Sequence, residues 1–335
     1  GKVFYGRDAF EGLHKMDELM AEKRGETVVE AAPKPKRVRA ATAVKERPPV
    51  PARSDVALDV PIPVAPFLGS RVVKGLNTIE IASYLNKTAL FRGQWQFRPK
   101  KGQKREDYDA FIGAEAEPIF RSTLDRCISE GLLIPAVVYG YFPAQSEGDD
   151  LVVYDPADPA REAVRFTFPR QPRSRFLNIA DFFRPTSSGE MDTVAFHVVT
   201  MGSKVSERAA ELFEANEYRE YLYLHGLGVE MAEALAEFWH KRIREELGIA
   251  GDDGATVEAL FDQGYRGSRY SFGYPACPNL EDQKQIFDLL DPERIGVTLS
   301  EEFQLVPEQS TSAIIVHHPE AKYFSVGRAA IRPAD

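Results

Sequence analysis

The segment 269–278 (RYSFGYPACP) combines residue types that suit ligand binding. Its two prolines and single glycine predict an extended, rigid loop whose backbone amides and carbonyls are not consumed by a helix or a sheet. The guanidinium of Arg269 can grip a carboxylate through two parallel hydrogen bonds. Tyr274 adds an aromatic face and a hydroxyl. The alternative interpretation is a stiff connector before the next helix, and the residues alone leave both open.

A second candidate is Glu233, which lies in the apolar run 231–236 (MAEALA) of a helical pattern over 229–247. A carboxylate among alanines can face a pocket and hold a cationic ligand group. The alternative is an ordinary exposed helix glutamate.

Several common kinds of site are absent from the sequence. The six histidines and two cysteines, Cys127 and Cys277, have no zinc-ligand spacing, and His317 and His318 would point to opposite faces of a strand. No glycine-rich dinucleotide loop, Walker loop or nucleophile elbow occurs. We therefore expect no metal site, and the sequence argues against a Rossmann-type methyltransferase, a nucleotide triphosphatase and a serine hydrolase. Two free cysteines fit a reducing, cytoplasmic setting.

Strand and helix patterns are grouped rather than alternating, which predicts an α+β fold with an antiparallel sheet. The strand patterns lie at 136–142, 151–154, 163–168, 195–200, 312–317 and 323–326. Helical patterns cover 205–225 and 229–247, with Gly226 and Gly228 between them, and 280–290.

The segment 26–66 holds eight of the 23 prolines and predicts an extended interdomain linker. It is basic, whereas the net charge of the chain is -9, so nucleic-acid binding is a poor hypothesis. No apolar run approaches the roughly 20 residues of a membrane span. The segment 1–25 has a short strand pattern and a helical pattern, which is typical of the end of a preceding α/β domain. The folded domain is then 67–335.

The sequence resembles a known family at these and other residues. The pattern Arg269-x-x-x-Gly-Tyr-Pro-Ala-Cys-Pro is similar to the S-adenosylmethionine motif in the C-terminal reactivation domain of cobalamin-dependent methionine synthase. Further segments match in the family's order: 90–95 (LFRGQW), 141–145 (YFPAQ), 180–183 (ADFF), 232–237 (AEALAE) and 318–324. Residues 5–13 resemble the closing helix of that enzyme's cobalamin-binding domain.

The resemblance implies a C-shaped α+β domain around a twisted antiparallel sheet, preceded by the proline-rich linker. It implies a role in methionine biosynthesis, where a methyl group from S-adenosylmethionine and an electron from a flavodoxin-like donor return oxidised cobalamin to methylcobalamin. Cobalamin itself would be held by a neighbouring domain of the same polypeptide. The chain lacks that domain's cobalamin signature and any folate or homocysteine module, so we expect no turnover of homocysteine.

The resemblance also implies roles for individual residues. Arg269 would pair with the methionine carboxylate of the ligand, and Glu80 and Glu233 would pair with its ammonium group. Tyr274 and Tyr323 would border the ligand. Gly273 and Ala276 belong to the binding motif. The position of a further family glutamate is occupied by Gln263.

Two other functions remain open at this point. One is a non-catalytic docking domain for the cobalamin domain and the electron donor, against which the intact Arg269, Glu233 and Tyr274 argue. The other is a stand-alone methyltransferase, against which the linker argues.

Overall fold

The structure is a computed structural model, and it describes residues 49–327. The predicted strand and helix in 1–25, and the part of the predicted linker up to residue 48, lie outside the described residues.

The centre of the fold is an antiparallel sheet of seven strands. In chain order six of them are β1 (Gly69–Lys74), β2 (Ala136–Glu147), β3 (Asp150–Asp155), β4 (Asp158–Thr167), β5 (Asp192–Thr200) and β6 (Ser268–Ser271). A two-stranded ribbon, β7 (Thr298–Leu299) and β8 (Leu305–Val306), precedes the seventh sheet strand, β9 (Ser310–Val316). The sheet order is β4-β3-β2-β5-β9-β6, and β1 pairs with the first half of β2.

Both faces of the sheet are buried, which explains the uninterrupted apolar run of β2. Val137, Tyr139 and Tyr141 face one hydrophobic cluster, and Val138 and Phe142 face the other. Side chains alternate across a strand, so one strand serves both clusters.

Helices cover both faces. Their bounds are α1 (Thr78–Ala82), α2 (Arg105–Phe111), α3 (Glu117–Ser129), α4 (Lys204–Glu214), α5 (Tyr218–Glu246), α6 (Val257–Phe261) and α7 (Gln283–Leu290). A π-helical turn, Ile112–Ala116, joins α2 to α3, and another spans Ala89–Gln94. None of the helices in the range 49–327 is both long and apolar enough to cross a membrane. The predicted α+β class with an antiparallel sheet is confirmed.

The predicted helix break at Gly226 and Gly228 is wrong. The chain breaks instead between α4 and α5, where Asn216 takes a φ of 62°, and α5 runs unbroken through both glycines. A Cβ at Gly226 would lie 2.8 Å from Cβ of Gln94, and one at Gly228 would lie 2.9 Å from Cγ of Gln309. The two glycines therefore permit close packing against the helix instead of ending it.

Two local predictions near the C-terminal end are also wrong. Residues 323–326 form no strand, because the N–H of Val326 donates to the carbonyl of Pro275 and β9 already has β5 and β6 as neighbours. The segment that begins at Arg269 is not loop throughout, because Arg269 lies within the edge strand β6.

The described part of the predicted linker has no helix or strand, as its prolines indicate, but it packs on the domain. The guanidinium of Arg53 donates to Oγ of Ser146 and to the carbonyl of Phe183, both at 3.0 Å. The N–H of Ala57 donates to Glu320, and Arg184 donates to the carbonyl of Val60. The compact unit accordingly includes the residues from Val50 onward.

Candidate functional site

A cavity of about 410 Å³ opens between β6 and α5, and Arg269 lies on its wall. Strand β6 places Arg269 on the side that faces α5, whereas its neighbour Tyr270 points into the opposite cluster. Helix α5 contributes Glu230, Glu233 and Glu237 to the same cavity. Their spacing of three and four residues puts the three carboxylates on one face of the helix.

Arg269 is paired with two of these carboxylates. Its Nη2 donates to Oε2 of Glu233 at 3.1 Å, and its Nε lies 3.5 Å from Oε2 of Glu237. Burial opposes the charge on Arg269, but the carboxylates of Glu233 and Glu237 outweigh it and raise the pKa of the guanidinium. The guanidinium therefore stays charged at the cavity wall.

The three glutamates differ in their surroundings. Burial raises the pKa of Glu237, although Arg269 and Arg244 oppose the shift. Burial also raises the pKa of Glu230, which accepts a hydrogen bond from Nε2 of Gln94 at 3.1 Å. Glu233 is the most open of the three, with 36% of its side chain exposed. The cavity thus offers one guanidinium and an excess of carboxylates, which suits a ligand that carries both a carboxylate and positive charge.

The loop after β6 forms a tight turn that presents Tyr274. Gly273 has a φ of 85°, a left-handed conformation that favours glycine, and its N–H donates to the carbonyl of Cys277. A Cβ at Gly273 would lie 2.7 Å from Cδ2 of Leu280. Tyr274 projects from this turn half-exposed, and the negative charge of Glu233, followed by burial, raises the pKa of its hydroxyl.

Tyr323 borders the cavity from the chain that follows β9. Its N–H donates to Oε1 of Gln263 at 3.0 Å, and Nζ of Lys322 donates to the carbonyls of Gln263 and Tyr265. Gln263 itself has a φ of 55°. The amide of Gln263 thus positions Tyr323 without adding a charge to the cavity.

A buried polar layer supports the arginine from behind. Arg244 is fully buried, pairs with Asp253 at 2.7 Å and lies 4.1 Å above the ring of Tyr265. The imidazole of His240 packs edge-on against the same ring. Burial, with Arg269 as the second cause, lowers the pKa of His197 to about 3. His197 is therefore neutral and adds no positive charge beside Arg269.

A larger groove of about 1100 Å³ adjoins the cavity and shares Glu233 and Tyr274 with it. Its walls come from α4, α5, the turn at Gly273 and the chain around β8 and β9. The two openings meet at the rim formed by Glu233 and Tyr274.

The structure brings together four of the seven residues implied by the sequence: Glu233, Arg269, Tyr274 and Tyr323 line the cavity. Gly273 lines the adjoining groove. Ala276 is buried in the second hydrophobic cluster beneath the turn. Glu80 lies exposed on α1, outside the set of described residues that line the cavity.

The sequence assigns no role to the other residues that line the cavity. Glu230 and Glu237 had a usable signal, because they share a helix face with Glu233. Asn86 and Tyr84 come from a segment far away in sequence, and only the fold places them at the cavity. Among the described residues, no cluster of three or more histidine, cysteine or acidic side chains has the arrangement of a metal site.

Comparisons with known proteins identify the family. Residues 78–331 match the family described as vitamin B12 dependent methionine synthase, activation domain. The chain is 49% identical to methionine synthase of Mycobacterium tuberculosis and 47% identical to that of Mycobacterium leprae, in each case over 97% of this chain. It spans 30% of the length of these curated relatives.

A solved structure is also similar. It is described as the crystal structure of the MetH reactivation domain bound to AdoHcy, and it aligns with a TM-score of 0.71 and 29% identity over 80% of this chain and 84% of that one. The fold, the motif around Arg269 and the family match lead to one conclusion: the chain belongs to the activation domain family of vitamin B12 dependent methionine synthase.

Proposed function

We propose that this chain binds S-adenosylmethionine in the cavity at Arg269 and serves the reductive remethylation of cobalamin in a methionine synthase. S-adenosylmethionine supplies a methyl group on a positively charged sulfur. The cobalamin acceptor would be held by a neighbouring domain of the same polypeptide, and a flavodoxin-like donor would supply the electron. The related structure described as bound to AdoHcy supports this ligand class.

The observation that carries the proposal is the charge arrangement of the cavity. The methionine end of the ligand has one carboxylate and one ammonium group. Arg269 provides a charged fork for the carboxylate, and Glu233, within 3.1 Å of it, provides an acid for the ammonium. The remaining acid on this helix face, Glu230, suits the additional positive charge of a sulfonium.

The other implied residues support the ligand in different ways. Tyr274 and Tyr323 would flank it, and Gly273 would allow its close approach to the turn. Ala276 would act by packing under the turn, because its side chain is 1% exposed. A role for Glu80 stays a prediction from the resemblance.

The proposal includes the organisation of the longer protein. We expect 1–25 to end a cobalamin-binding domain and 26–66 to connect it to the domain that follows. The setting we expect is cytoplasmic, without nucleic acid or membrane as partner. Expected partners are the cobalamin domain and a flavodoxin-like or other reductase.

Calorimetric titration and thermal unfolding test the binding. Ligand at 100 times its dissociation constant should stabilise the fold by about 2.7 kcal/mol and raise the melting temperature. No heat and no thermal shift at millimolar S-adenosylmethionine would contradict the proposal and favour the alternative, a docking domain without ligand.

Arg269 variants locate the site. Arg269→Ala should weaken binding by about 2–3 kcal/mol, and Arg269→Lys by less, because lysine keeps the charge but not the bidentate geometry. The melting temperature without ligand is the control, since a merely bracing arginine would lower stability first. An alanine variant with unchanged affinity would remove Arg269 from the site.

A further inference from the structure

The two carboxylates that pair with Arg269 are not equivalent. Glu237 is 8% exposed and faces Nε, whereas Glu233 is 36% exposed and occupies Nη2 at the rim of the cavity. Glu237 is thus nearly buried beside the guanidinium, and Glu233 lies at the rim of the cavity, where an incoming ligand would arrive.

A ligand carboxylate that accepts hydrogen bonds from Arg269 needs an Nη donor, because Glu237 pairs with Nε. The Nη2 donor is engaged by Glu233 at 3.1 Å. If Glu233 stayed, three carboxylates would surround one guanidinium, and like charges so close disfavour one another. The buried layer behind contains a second cation, Arg244, but Asp253 already pairs with it, and burial keeps His197 and His240 neutral.

We propose that Glu233 is an exchangeable partner of Arg269 that makes the cavity selective for zwitterionic amino-acid ligands. The ligand carboxylate replaces Glu233 at Nη2, and the released Glu233 pairs with the ligand ammonium. Glu237 stays on Nε as a positioning residue that holds the guanidinium plane. This inference rests on the proposed function and adds a selection rule to it.

The exchange gives a function to the short distance between Glu233 and Arg269, the arginine that would bind the ligand carboxylate. A ligand with a carboxylate but no amino group must displace Glu233 and leave it without a cation. A zwitterion supplies that cation itself. The cavity thereby rejects simple carboxylates that Arg269 alone would attract.

The test uses the full chain and three ligands: S-adenosylhomocysteine, its analogue without the amino group and its analogue without the carboxylate. Dissociation constants are measured for the wild type, for Glu233→Gln, and for Glu245→Gln as a matched control. Glu245 lies on the same helix beside Arg242 and outside both openings. Glutamine keeps the shape of the side chain and removes its charge.

We expect the deaminated analogue to bind Glu233→Gln more tightly than the wild type by roughly tenfold, because the competing carboxylate is gone. The preference for S-adenosylhomocysteine over this analogue should fall by a similar factor. Glu245→Gln should leave the preference unchanged. If Glu233→Gln binds the deaminated analogue no better than the wild type while S-adenosylhomocysteine still binds the wild type, the exchange is wrong and the proposed function stands. If S-adenosylhomocysteine does not bind the wild type, the exchange and the proposed function are both wrong.

Glu237→Gln tests the positioning role. It should weaken the two ligands that carry a carboxylate by similar factors and leave the decarboxylated analogue unchanged. Equal weakening of all three ligands would mean that Glu237 only supports the fold, and unchanged affinity for all three would remove it from the site.

Discussion

At the residue scale, burial disfavours the charged form of both Arg269 and His197, but the two side chains differ in their partners. Arg269 keeps its charge beside two carboxylates, while His197 in the same layer has a pKa of about 3 and stays neutral. The sequence identified Arg269 because its type and motif are distinctive. Glu237 received no role, although it shares a helix face with Glu233, because its pairing at 3.5 Å is with an arginine on a strand that is distant in sequence.

Asp282, just after the motif loop, allows a test of burial by pH. Burial raises the pKa of its carboxyl to about 6, although the amide of Asn279 donates to it at 2.7 Å. The folded state therefore binds the proton more tightly than the unfolded state. The stability that this tighter proton binding contributes is fully present below the unfolded pKa near 4, and it is lost as the pH rises through about 6.

Asp282→Asn should consequently stabilise the fold at pH 7.5 by roughly 1–3 kcal/mol. The asparagine oxygen can still accept from Asn279, and the aspartate makes no side-chain cap to α7 that would be lost. The gain should shrink as the pH falls from 7.5 toward 4. Urea unfolding of both proteins across this range measures it, and a gain that grows toward acid pH would contradict the assignment.

At the element scale, the sequence predicts what short-range pattern determines. The apolar run at 136–142 marks β2, and the turn residues after it mark the hairpin to β3. The meaning of Gly226 and Gly228 depends on partners elsewhere in the chain, so they resembled a helix break. The same holds for β6, which is a strand only because β9 lies beside it.

Gly226→Ala tests the packing explanation. Alanine favours a helix over glycine by about 1 kcal/mol, but its Cβ would lie 2.8 Å from Cβ of Gln94 and 3.1 Å from the ring of Trp95. These atoms have little freedom to move, so we expect a net loss of about 1–3 kcal/mol.

The matched control is Gly113→Ala, in the π-helical turn between α2 and α3, where a Cβ would meet nothing within 4 Å. This variant should be neutral or more stable. Chemical unfolding of both variants measures the change in the free energy of unfolding. A Gly226→Ala variant more stable than the wild type would show that close packing does not require glycine at this position.

At the scale of the whole molecule, residues 50–66 of the predicted linker pack on the domain, and we call this segment the strap. The described part of the predicted linker, residues 49–66, contains no helix or strand. Composition does not reveal the docking of this part, because its contacts are with distant groups such as Asp181 and Glu320. We therefore infer that the docked segment includes Arg53 and the residues after it.

Arg53→Ala should destabilise the domain and release the strap. The arginine donates to Ser146 and to the carbonyls of Asp181 and Phe183, and a hydrogen bond from a charged donor contributes about 1.5–3 kcal/mol. In the wild type, the amides of Ser54 and Ala57 should exchange slowly with solvent, since they donate to Asp181 and Glu320. In the variant both amides should exchange faster, while the amides of β5 keep their protection.

Arg173→Ala is the control, because Arg173 is exposed to solvent. This variant should change neither the stability of the domain nor the exchange rates of the amides of Ser54 and Ala57. Fast exchange at Ser54 and Ala57 in the wild type would mean that the strap is not docked in solution, and the linker would then extend to residue 66 as its composition predicts.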